Sequence, residues 1–493
     1  MLLLMMLLML MLMLLLMPMR CNGRRQHAPQ PASSQPSCKL RIIEQRAQCS
    51  AENALLPYTP QPKPAAMLAA SRSALRFGAR SMATKARINA PPLVVITGEE
   101  YTNYASELYV KHWIAPHVDI SKWEYFDLSC AKRDSTNDQI MADAIKAGKR
   151  VGAIYKEPTI TPTLDQVKSM NLKKMWRSPN GAMRAGWNGI SISRDTIHIP
   201  GMDMGYKRQV LFDRHAVGGE YGAGYAMVGP GTVTTTWKGA DGKSVVVDER
   251  KVTDNLNAAV FYHNPYDNVS QMAHHFFKRC LEGNATPYIV TKKTVFKWQE
   301  DFWQICRKVF NEHYKKDFTS KGLLTGAGPA NCRGELQHFL SDVATMKLVQ
   351  WREGGFGMCA HNYDGDVLTD ELAQVHRSPG FITSVLNGVN DDGSIIKEFE
   401  ASHGTVSDMW AAHQRGEECS LNPLSMMEAM IGAIHHSVIL NKGPSDLSNF
   451  ANKLQKAIHA QMTAPGKATR DFSGPTGLTT EQFVQAVKAR LDA

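Results

Sequence analysis

The 493-residue chain lacks the cysteine patterns that mark zinc modules and disulfide frameworks. Its nine cysteines are an odd number and no two are spaced as C-x-x-C, while three of them (Cys21, Cys38 and Cys49) fall within the first 50 residues. We therefore expect free thiols, as in a reducing compartment or an organelle matrix.

The common nucleotide-binding and hydrolase motifs are also absent. The sequence contains no G-x-G-x-x-G, no P-loop, no H-E-x-x-H and no G-x-S-x-G. Each of these motifs serves a specific contact with phosphate, metal or acyl groups. Any cofactor must therefore be held in another way.

Most of the chain lacks net charge. Residues 1–90 contain 12 Lys/Arg and two Asp/Glu, which accounts for the whole net charge of +10, and residues 91–493 contain 44 of each sign. A nucleic-acid-binding body would be basic. We expect no nucleic-acid partner, and no membrane association in the mature form.

Residues 1–90 form an N-terminal leader, which begins with two segments of biased composition. Residues 1–17 are only Leu and Met, a run at the short edge of a membrane span. Residues 18–64 are rich in Pro, Gln, Ser and Ala, a composition that does not form a packed core.

The last part of the leader, residues 67–84, indicates a targeting segment. It contains no acid and carries Arg72, Arg76 and Arg80 at four-residue intervals, on one face of a helix. This pattern is typical of mitochondrial presequences, so we predict the mitochondrial matrix. A flexible basic arm, or a plastid or secretory route, are the alternatives.

The remainder indicates a mixed α/β fold. The apolar run in PPLVVITGEE precedes a helical pattern from Tyr104 to Trp113, and two Thr/Val runs around Asp241-Gly242 predict a β-hairpin. Residues 425–440 predict a buried helix. Alternating strands and helices with an inserted β-element predict the α/β class.

A pair of acids is the first candidate metal site. Asp366 and Asp370 are four residues apart, so on a helix both carboxylates face one side and could bind a hard divalent cation. A solvated helix start would give the same pattern.

A polar and basic cluster indicates a site for an anionic small molecule. It lies in Gly-rich surroundings and consists of Ser178, Asn180, Arg184, Arg194 and Arg214. Guanidinium forks fix the orientation of carboxylates through paired hydrogen bonds. Surface arginines without a ligand are the alternative.

Tyr221 and Lys292 are candidate proton-transfer groups. Either side chain can exchange a proton when a metal or neighbouring cations lower its pKa. Their spacing does not pair them, and a structural role remains open for both.

Six ordered stretches resemble the eukaryotic-type homodimeric isocitrate dehydrogenases, which belong to the β-decarboxylating dehydrogenases. These stretches are TITP (159–162), RSPNGAMR (177–184), DRHAVGGEY (213–221), TKKT (291–294), EGGFGMCAHNYDGDVLTD (353–370) and EASHGTV (400–406). That family binds its dinucleotide without the glycine fingerprint, which accounts for the missing motif.

The resemblance implies the isocitrate/isopropylmalate dehydrogenase-like fold. A large α/β domain with the cofactor site would comprise residues 91–187 and 377–493, and a small α/β domain residues 188–218 and 266–376. Residues 219–265 would form a β-rich clasp in a homodimer with shared active sites.

The resemblance also implies a set of site residues. Isocitrate would be bound by Thr161, Ser178, Asn180, Arg184, Arg194 and Arg214. Mg²⁺ or Mn²⁺ would be bound by Asp366 and Asp370 together with the partner's counterpart of Asp342. Tyr221 would protonate the enolate, and Lys292 from the other subunit would assist removal of the hydroxyl proton.

The remaining implied residues form the dinucleotide site. They are Lys156, Thr159, Thr161, Asn180, Glu400, His403, Gly404, Thr405, Val406, Asp408, Met409 and Asn422. NADP-using relatives carry Arg-His where this chain has Asp408-Met409, and a lysine at the position of Trp351. A carboxylate there accepts hydrogen bonds from ribose hydroxyls and repels a 2′-phosphate, so we predict NAD.

The predicted activity is therefore the NAD-dependent oxidative decarboxylation of isocitrate to 2-oxoglutarate. NADP as the oxidant is one alternative, and a related substrate such as isopropylmalate, homoisocitrate or tartrate is another. From different classes, a non-catalytic regulatory subunit and an RNA binder remain open.

Overall fold

A computed structural model describes residues 86–324 and 333–493 of the protein. The leader segments 1–17, 18–64 and 67–84 lie outside the described residues. Within the described part, no helix combines the length and apolar character needed to cross a membrane.

The described chain contains both strands and α-helices, with four successive strands over residues 224–261 and only helices after residue 401. The strands are β1 Ile88–Asn89, β2 Leu93–Thr97, β3 Val118–Asp119, β4 Trp123–Asp127, β5 Ala153–Lys156, β6 Gly189–Ser193, β7 Leu211–His215, β8 Gly224–Val228, β9 Gly231–Lys238, β10 Ser244–Val252, β11 Asn257–Phe261, β12 Thr286–Thr291, β13 Gln337–Leu340, β14 Phe356–Ala360, β15 Thr383–Val389 and β16 Ile395–Ala401. The helices are α1 Glu100–Tyr109, α2 Cys130–Ser135, α3 Gln139–Val151, α4 Leu164–Ser169, α5 Pro179–Gly186, α6 Val269–Glu282, α7 Gln299–Val309, α8 Lys315–Ser320, α9 Ser341–Gln350, α10 Asn362–His376, α11 Ser407–Gln414, α12 Leu424–Asn441, α13 Ser445–Met462, α14 Arg470–Ser473 and α15 Thr480–Asp492.

A ten-stranded sheet forms the centre of the fold. Its strand order is β13-β12-β14-β7-β6-β15-β16-β5-β2-β4. The four strands at each end of this order run parallel to one another, and β6 and β15 pair antiparallel in the middle. The predicted α/β class is confirmed.

Two antiparallel ribbons lie within the predicted clasp. β9 pairs with β10 around the predicted Asp241-Gly242 turn, where Gly242 has φ +85°, and β8 pairs with β11. A left-handed turn residue next to Asp suits a tight hairpin. The predicted hairpin is confirmed.

Local sequence explains where helix α1 begins. Glu99 accepts hydrogen bonds from the backbone N–H groups of Tyr101 and Thr102, so α1 begins at Glu100, four residues before the predicted Tyr104. It continues into a π-helical turn at Val110–Ile114. Helix α12 is apolar on all sides and buried, as predicted.

Apolar residues form three clusters around the sheet. One joins β2 and β5 to α1, α12, α13 and α15, and a small one packs α3 against the sheet. The third draws its buried members from residues 190–382 and includes β12, β14, α6 and α7. The division into a large and a small domain at the predicted bounds stays a prediction.

Glu157 gives a pH-dependent term in stability. It lies directly after β5 with no exposed surface, and burial raises the pKa of its carboxyl to about 8. Between the unfolded pKa of roughly 4.3 and this value, the folded protein holds a proton that the unfolded chain has lost, so stability falls as pH rises through that window.

We therefore expect Glu157→Gln to raise the Tm by a few degrees at pH 8.5 and to change it little at pH 5. Asp446→Asn, at an exposed position in the first turn of α13, serves as the control. Calorimetry at both pH values measures the effect. Equal Tm changes at the two pH values would contradict the assignment.

Candidate active site

A polar cavity of about 230 Å³ brings together ten of the predicted site residues. It is formed by the loop after β5, helix α5, the residue after β6, helix α10 and the end of β16. Its lining is Pro158, Thr159, Asn180, Arg184, Arg194, Asp366, Asp370, Glu400, Ala401, Ser402, His403, Gly404 and Thr405. These are the carboxyl ends of strands and the start of the following elements, where α/β folds place their ligands.

Asp366 is the centre of the polar contacts in this cavity. Its carboxylate accepts hydrogen bonds from the guanidinium of Arg214 and from the hydroxyl of Tyr221. Arg194 Nη1 lies 3.0 Å from Asp366 Oδ1 and 3.9 Å from Asp370 Oδ1. One carboxylate thus connects two predicted substrate arginines, the predicted proton donor and the second predicted metal ligand.

Two further residues of α10 hold the arginines in place. Arg214 Nη2 donates to Asn362 Oδ1 at 2.9 Å, and Arg194 Nη1 donates to Thr369 Oγ1 at 2.9 Å. The sequence interpretation missed both partners. Their spacing from Asn362 through Asp366 and Thr369 to Asp370 is i, i+4, i+7 and i+8, which is one face of a helix and could have identified them.

The site concentrates positive charge in a buried environment. The side chains of Arg184 and Arg214 are almost wholly buried, and burial lowers the pKa of both guanidinium groups. Both guanidinium carbons also face the ring of Tyr221, at 5.8 and 5.3 Å from its centroid. Such a cluster is stabilised when an anion enters, which fits a polycarboxylate.

A second buried ion pair lies beside the first cluster. Lys156 Nζ is 2.5 Å from Glu400 Oε1, and the parallel register of β5 and β16 places the two residues side by side. Although burial acts to raise it, Lys156 and then Arg184 lower the pKa of the Glu400 carboxyl. Burial and the charge of Glu400 raise the pKa of the nearby Glu398 to about 8.

The predicted metal ligands fit a hard divalent cation in part. Asp366 and Asp370 lie one turn apart on α10, so the observed helix supplies two carboxylates to one cavity. Within residues 86–324 and 333–493, no group of three or more His, Cys, Asp or Glu side chains converges. A complete coordination shell therefore needs oxygen donors from substrate, water or another chain.

The loop after β16 has the features of a dinucleotide contact. His403 Nδ1 lies 2.9 Å from the carbonyl of Gly404 and donates to it, so Nε2 is an acceptor, and it is buried without a hydrogen-bond partner. A donor group of a bound nucleotide would satisfy this atom. Asp408 stands exposed in the first turn of α11, two residues past Val406.

Several predicted residues do not line the cavity. Thr161 is exposed, and Ser178 directly precedes α5. The side chain of Asn422 is bound to Asp471 and to the backbone N–H of Leu424. Val406, Met409 and Asp408 lie further along the loop and helix α11. The roles of these six stay predictions.

Lys292 and Asp342 form a separate pair. Lys292 Nζ lies 2.8 Å from Asp342 Oδ1, and this interaction lowers the pKa of the Asp342 carboxyl. Neither residue lines the cavity around Asp366. The sequence prediction placed both at the partner subunit's site, and their pairing is compatible with joint delivery to that site.

The chain is similar to known proteins over most of its length. Residues 94–487 match the profile of the isocitrate/isopropylmalate dehydrogenase family. The mitochondrial NAD(+) isocitrate dehydrogenase of Ostreococcus tauri is 58% identical over 428 residues, which cover 86% of this chain and 90% of that protein. The mitochondrial NAD(+) isocitrate dehydrogenase 1 of Phaeodactylum tricornutum is 56% identical over 455 residues, covering 88% and 82%.

A solved structure is similar over the same region. It is a crystal structure of isocitrate dehydrogenase from Ostreococcus tauri in complex with isocitrate and magnesium(II). The TM-score is 0.76 at 59% identity, and the match covers 82% of this chain and 100% of that chain. The similarity thus extends through both parts of the sheet.

Proposed function

Because the chain belongs to the isocitrate/isopropylmalate dehydrogenase family, we propose that it oxidises isocitrate to 2-oxoglutarate and CO₂ with NAD⁺. The observation that carries this proposal is the convergence of Arg184, Arg194 and Asp366 in one polar cavity. Tricarboxylate binding requires several fixed cations, and two helical carboxylates beside them suit a divalent ion.

The arginines bind and orient the substrate. Arg194 and Arg214 each form an ion pair with Asp366. A carboxylate of the incoming substrate competes with Asp366 for their guanidinium groups. Asn180 lines the same cavity, its amide oxygen accepts from Thr159 Oγ1 at 3.2 Å, and its amide nitrogen can donate to a substrate carboxylate. This selection of polar groups favours isocitrate over family substrates with apolar substituents.

A dinucleotide and a divalent cation would supply the redox and Lewis-acid chemistry. When bound, NAD⁺ would accept a hydride, and a divalent cation held by Asp366 and Asp370 would offset negative charge on the substrate oxygens. Two similar enzymes carry NAD(+) in their names, and the similar crystal structure contains magnesium(II). We infer NAD and Mg²⁺ or Mn²⁺ for this chain.

Tyr221 holds the proton that completes the reaction. Its hydroxyl donates to Asp366 and its ring faces Arg184 and Arg214, so the proton sits at the centre of the substrate cluster. After CO₂ leaves, the carbanion carbon needs a proton from a group within reach. Lys292 of the second subunit is the corresponding acceptor of the substrate hydroxyl proton.

We infer that Asp408 selects NAD over NADP. Its carboxylate is exposed at the start of α11, near the loop that contains His403 and Gly404. A ribose diol offers two donors to this carboxylate, whereas a 2′-phosphate would bring a like charge beside it.

We also propose a homodimer whose two sites are shared. The clasp ribbons expose large apolar side chains, including Tyr225, Met227, Val260 and Phe261, each more than half exposed. Apolar patches of this kind mark protein interfaces. A dimer through the clasp would cover them and would let Lys292 and Asp342 enter the site of the second subunit.

Mixing two inactive variants tests the sharing. In a heterodimer of Tyr221→Phe and Lys292→Gln, one site carries both changes and the other carries neither. Random reassortment should therefore restore about a quarter of wild-type kcat. The control mixes Tyr221→Phe with Asp366→Asn, since both changes fall in the share of one subunit and each site stays defective. A mixture no more active than its parents would contradict the shared site.

A substrate panel tests the activity itself. The purified protein, with NAD⁺ and Mg²⁺, should reduce NAD⁺ with isocitrate and show at least a hundredfold lower kcat/KM with isopropylmalate, homoisocitrate or tartrate. Comparable turnover of one of these would reassign the substrate, and no turnover of any would return the regulatory-subunit hypothesis.

We infer a mitochondrial location. Two similar enzymes are named as mitochondrial, and residues 67–84 have a presequence-like composition. N-terminal sequencing of the protein from isolated mitochondria should find a first residue near position 84, just before the described region.

A further inference from the structure

A buried cluster of charges lies directly behind the substrate arginines. Arg279 of α6 donates through Nη1 to Asp213 Oδ2 at 2.5 Å and through Nη2 to Asp195. Asp213 has no exposed surface. One guanidinium fork therefore joins a residue of β7 to the residue two positions past the end of β6.

Each of these two carboxylates belongs to a residue that is adjacent in sequence to an arginine of the substrate site. Asp213 directly precedes Arg214, and Asp195 directly follows Arg194. Successive residues of a strand point to opposite faces of the sheet. Arg214 thus faces the cavity with Asp366 while Asp213 faces α6. Beyond the end of β6, Arg194 contacts Asp366 and Asp195 contacts Arg279.

Hydroxyl groups complete the cluster on the face toward α6. Ser191 Oγ and Ser193 Oγ donate to Asp213 Oδ1 at 2.7 and 2.5 Å. Ser193 Oγ is also 3.1 Å from His275 Nε2 of α6. Both carboxylate oxygens of Asp213 thus accept hydrogen bonds, which connect β6 and β7 to α6.

We propose that Arg279 is a positioning residue for isocitrate binding. Its planar fork sets the spacing between the backbones that carry Arg194 and Arg214, and hence the spacing of the two guanidinium groups that bind the substrate. Arg279 touches no reacting atom. The proposal rests on the proposed function, because isocitrate is the ligand whose binding it affects.

A cavity gives solvent access to this fork. It has a volume of about 430 Å³, and its walls include Arg279, Lys278, Asp195, His275 and Lys397. The side chain of Arg279 is 17% exposed. A small guanidinium compound can therefore enter the space that a truncated Arg279 would leave.

Chemical rescue of Arg279→Ala tests the proposal. Relative to a wild type that turns over isocitrate, we expect KM for isocitrate to rise at least tenfold and KM for NAD to change less than twofold. Millimolar ethylguanidinium should lower the isocitrate KM of this variant at least threefold and leave wild type unaffected. Lys278→Ala, on the same helix and cavity wall, should retain wild-type constants.

Two variants keep the test decisive if Arg279→Ala does not fold. Arg279→Lys retains charge without the fork, and Asp195→Asn weakens one arm only, so each should raise the isocitrate KM selectively by a smaller factor. An isocitrate KM within twofold of wild type in all three, or parallel changes in both KM values without rescue, would overturn the proposal. A wild type inactive on isocitrate would instead refute the proposed function.

Discussion

Asp366→Asn should lower kcat/KM for isocitrate about a thousandfold. The change removes one of two helical carboxylates available to the metal, and replaces one of the two oxygens that accept from Arg214 and Tyr221 with an NH₂ group. The carboxamide keeps the size of the side chain, so the arginines lose their charge partner without a change in packing. Initial-rate kinetics at saturating Mg²⁺ measure the effect.

The control for this prediction is Asp446→Asn. Asp446 lies exposed in the first turn of α13 and makes no ion pair among the described residues. Its variant should match wild type, which separates a site effect from a general effect of lost charge. If kcat/KM of Asp366→Asn stays within tenfold of wild type, Asp366 is not the centre of the site.

The double variant Asp408→Arg/Met409→His should increase kcat/KM for NADP, relative to that for NAD, at least a hundredfold. It replaces a carboxylate with two groups able to pair with a 2′-phosphate. Asp408 is exposed, so the new arginine has room, whereas Met409 is half-buried against an apolar cluster and its replacement by histidine changes that packing.

Two controls separate position from charge. Asp408→Asn removes the repulsion without adding a cation, and should lose NAD efficiency while gaining little with NADP. Gln414→Arg adds a positive charge at the far end of α11, and should leave the ratio unchanged. An unchanged ratio in the double variant would place the ribose contact elsewhere.

Local sequence was sufficient for the elements and for much of the site. The Asp241-Gly242 turn predicted the β9–β10 ribbon, and the four-residue spacing of Asp366 and Asp370 predicted their common helix face. Both depend on neighbours along the chain, where spacing determines geometry.

Contacts set by strand register could not be predicted in the same way. Arg279 meets Asp195 and Asp213 only because β6 pairs with β7 and α6 packs behind them. The pairing of Lys156 with Glu400 likewise depends on the register of β5 and β16, which are separated by more than 200 residues. No local sequence pattern encodes such pairings. The family resemblance identified the site residues, and the structure identified the side chains that pair with them.

The central claim is that one cavity binds isocitrate while the exposed acid of α11 selects the dinucleotide. The most direct test compares kcat/KM of the wild-type protein for NAD and NADP at saturating isocitrate and Mg²⁺. We predict at least a hundredfold preference for NAD. Equal efficiency, or a preference for NADP, would contradict the account.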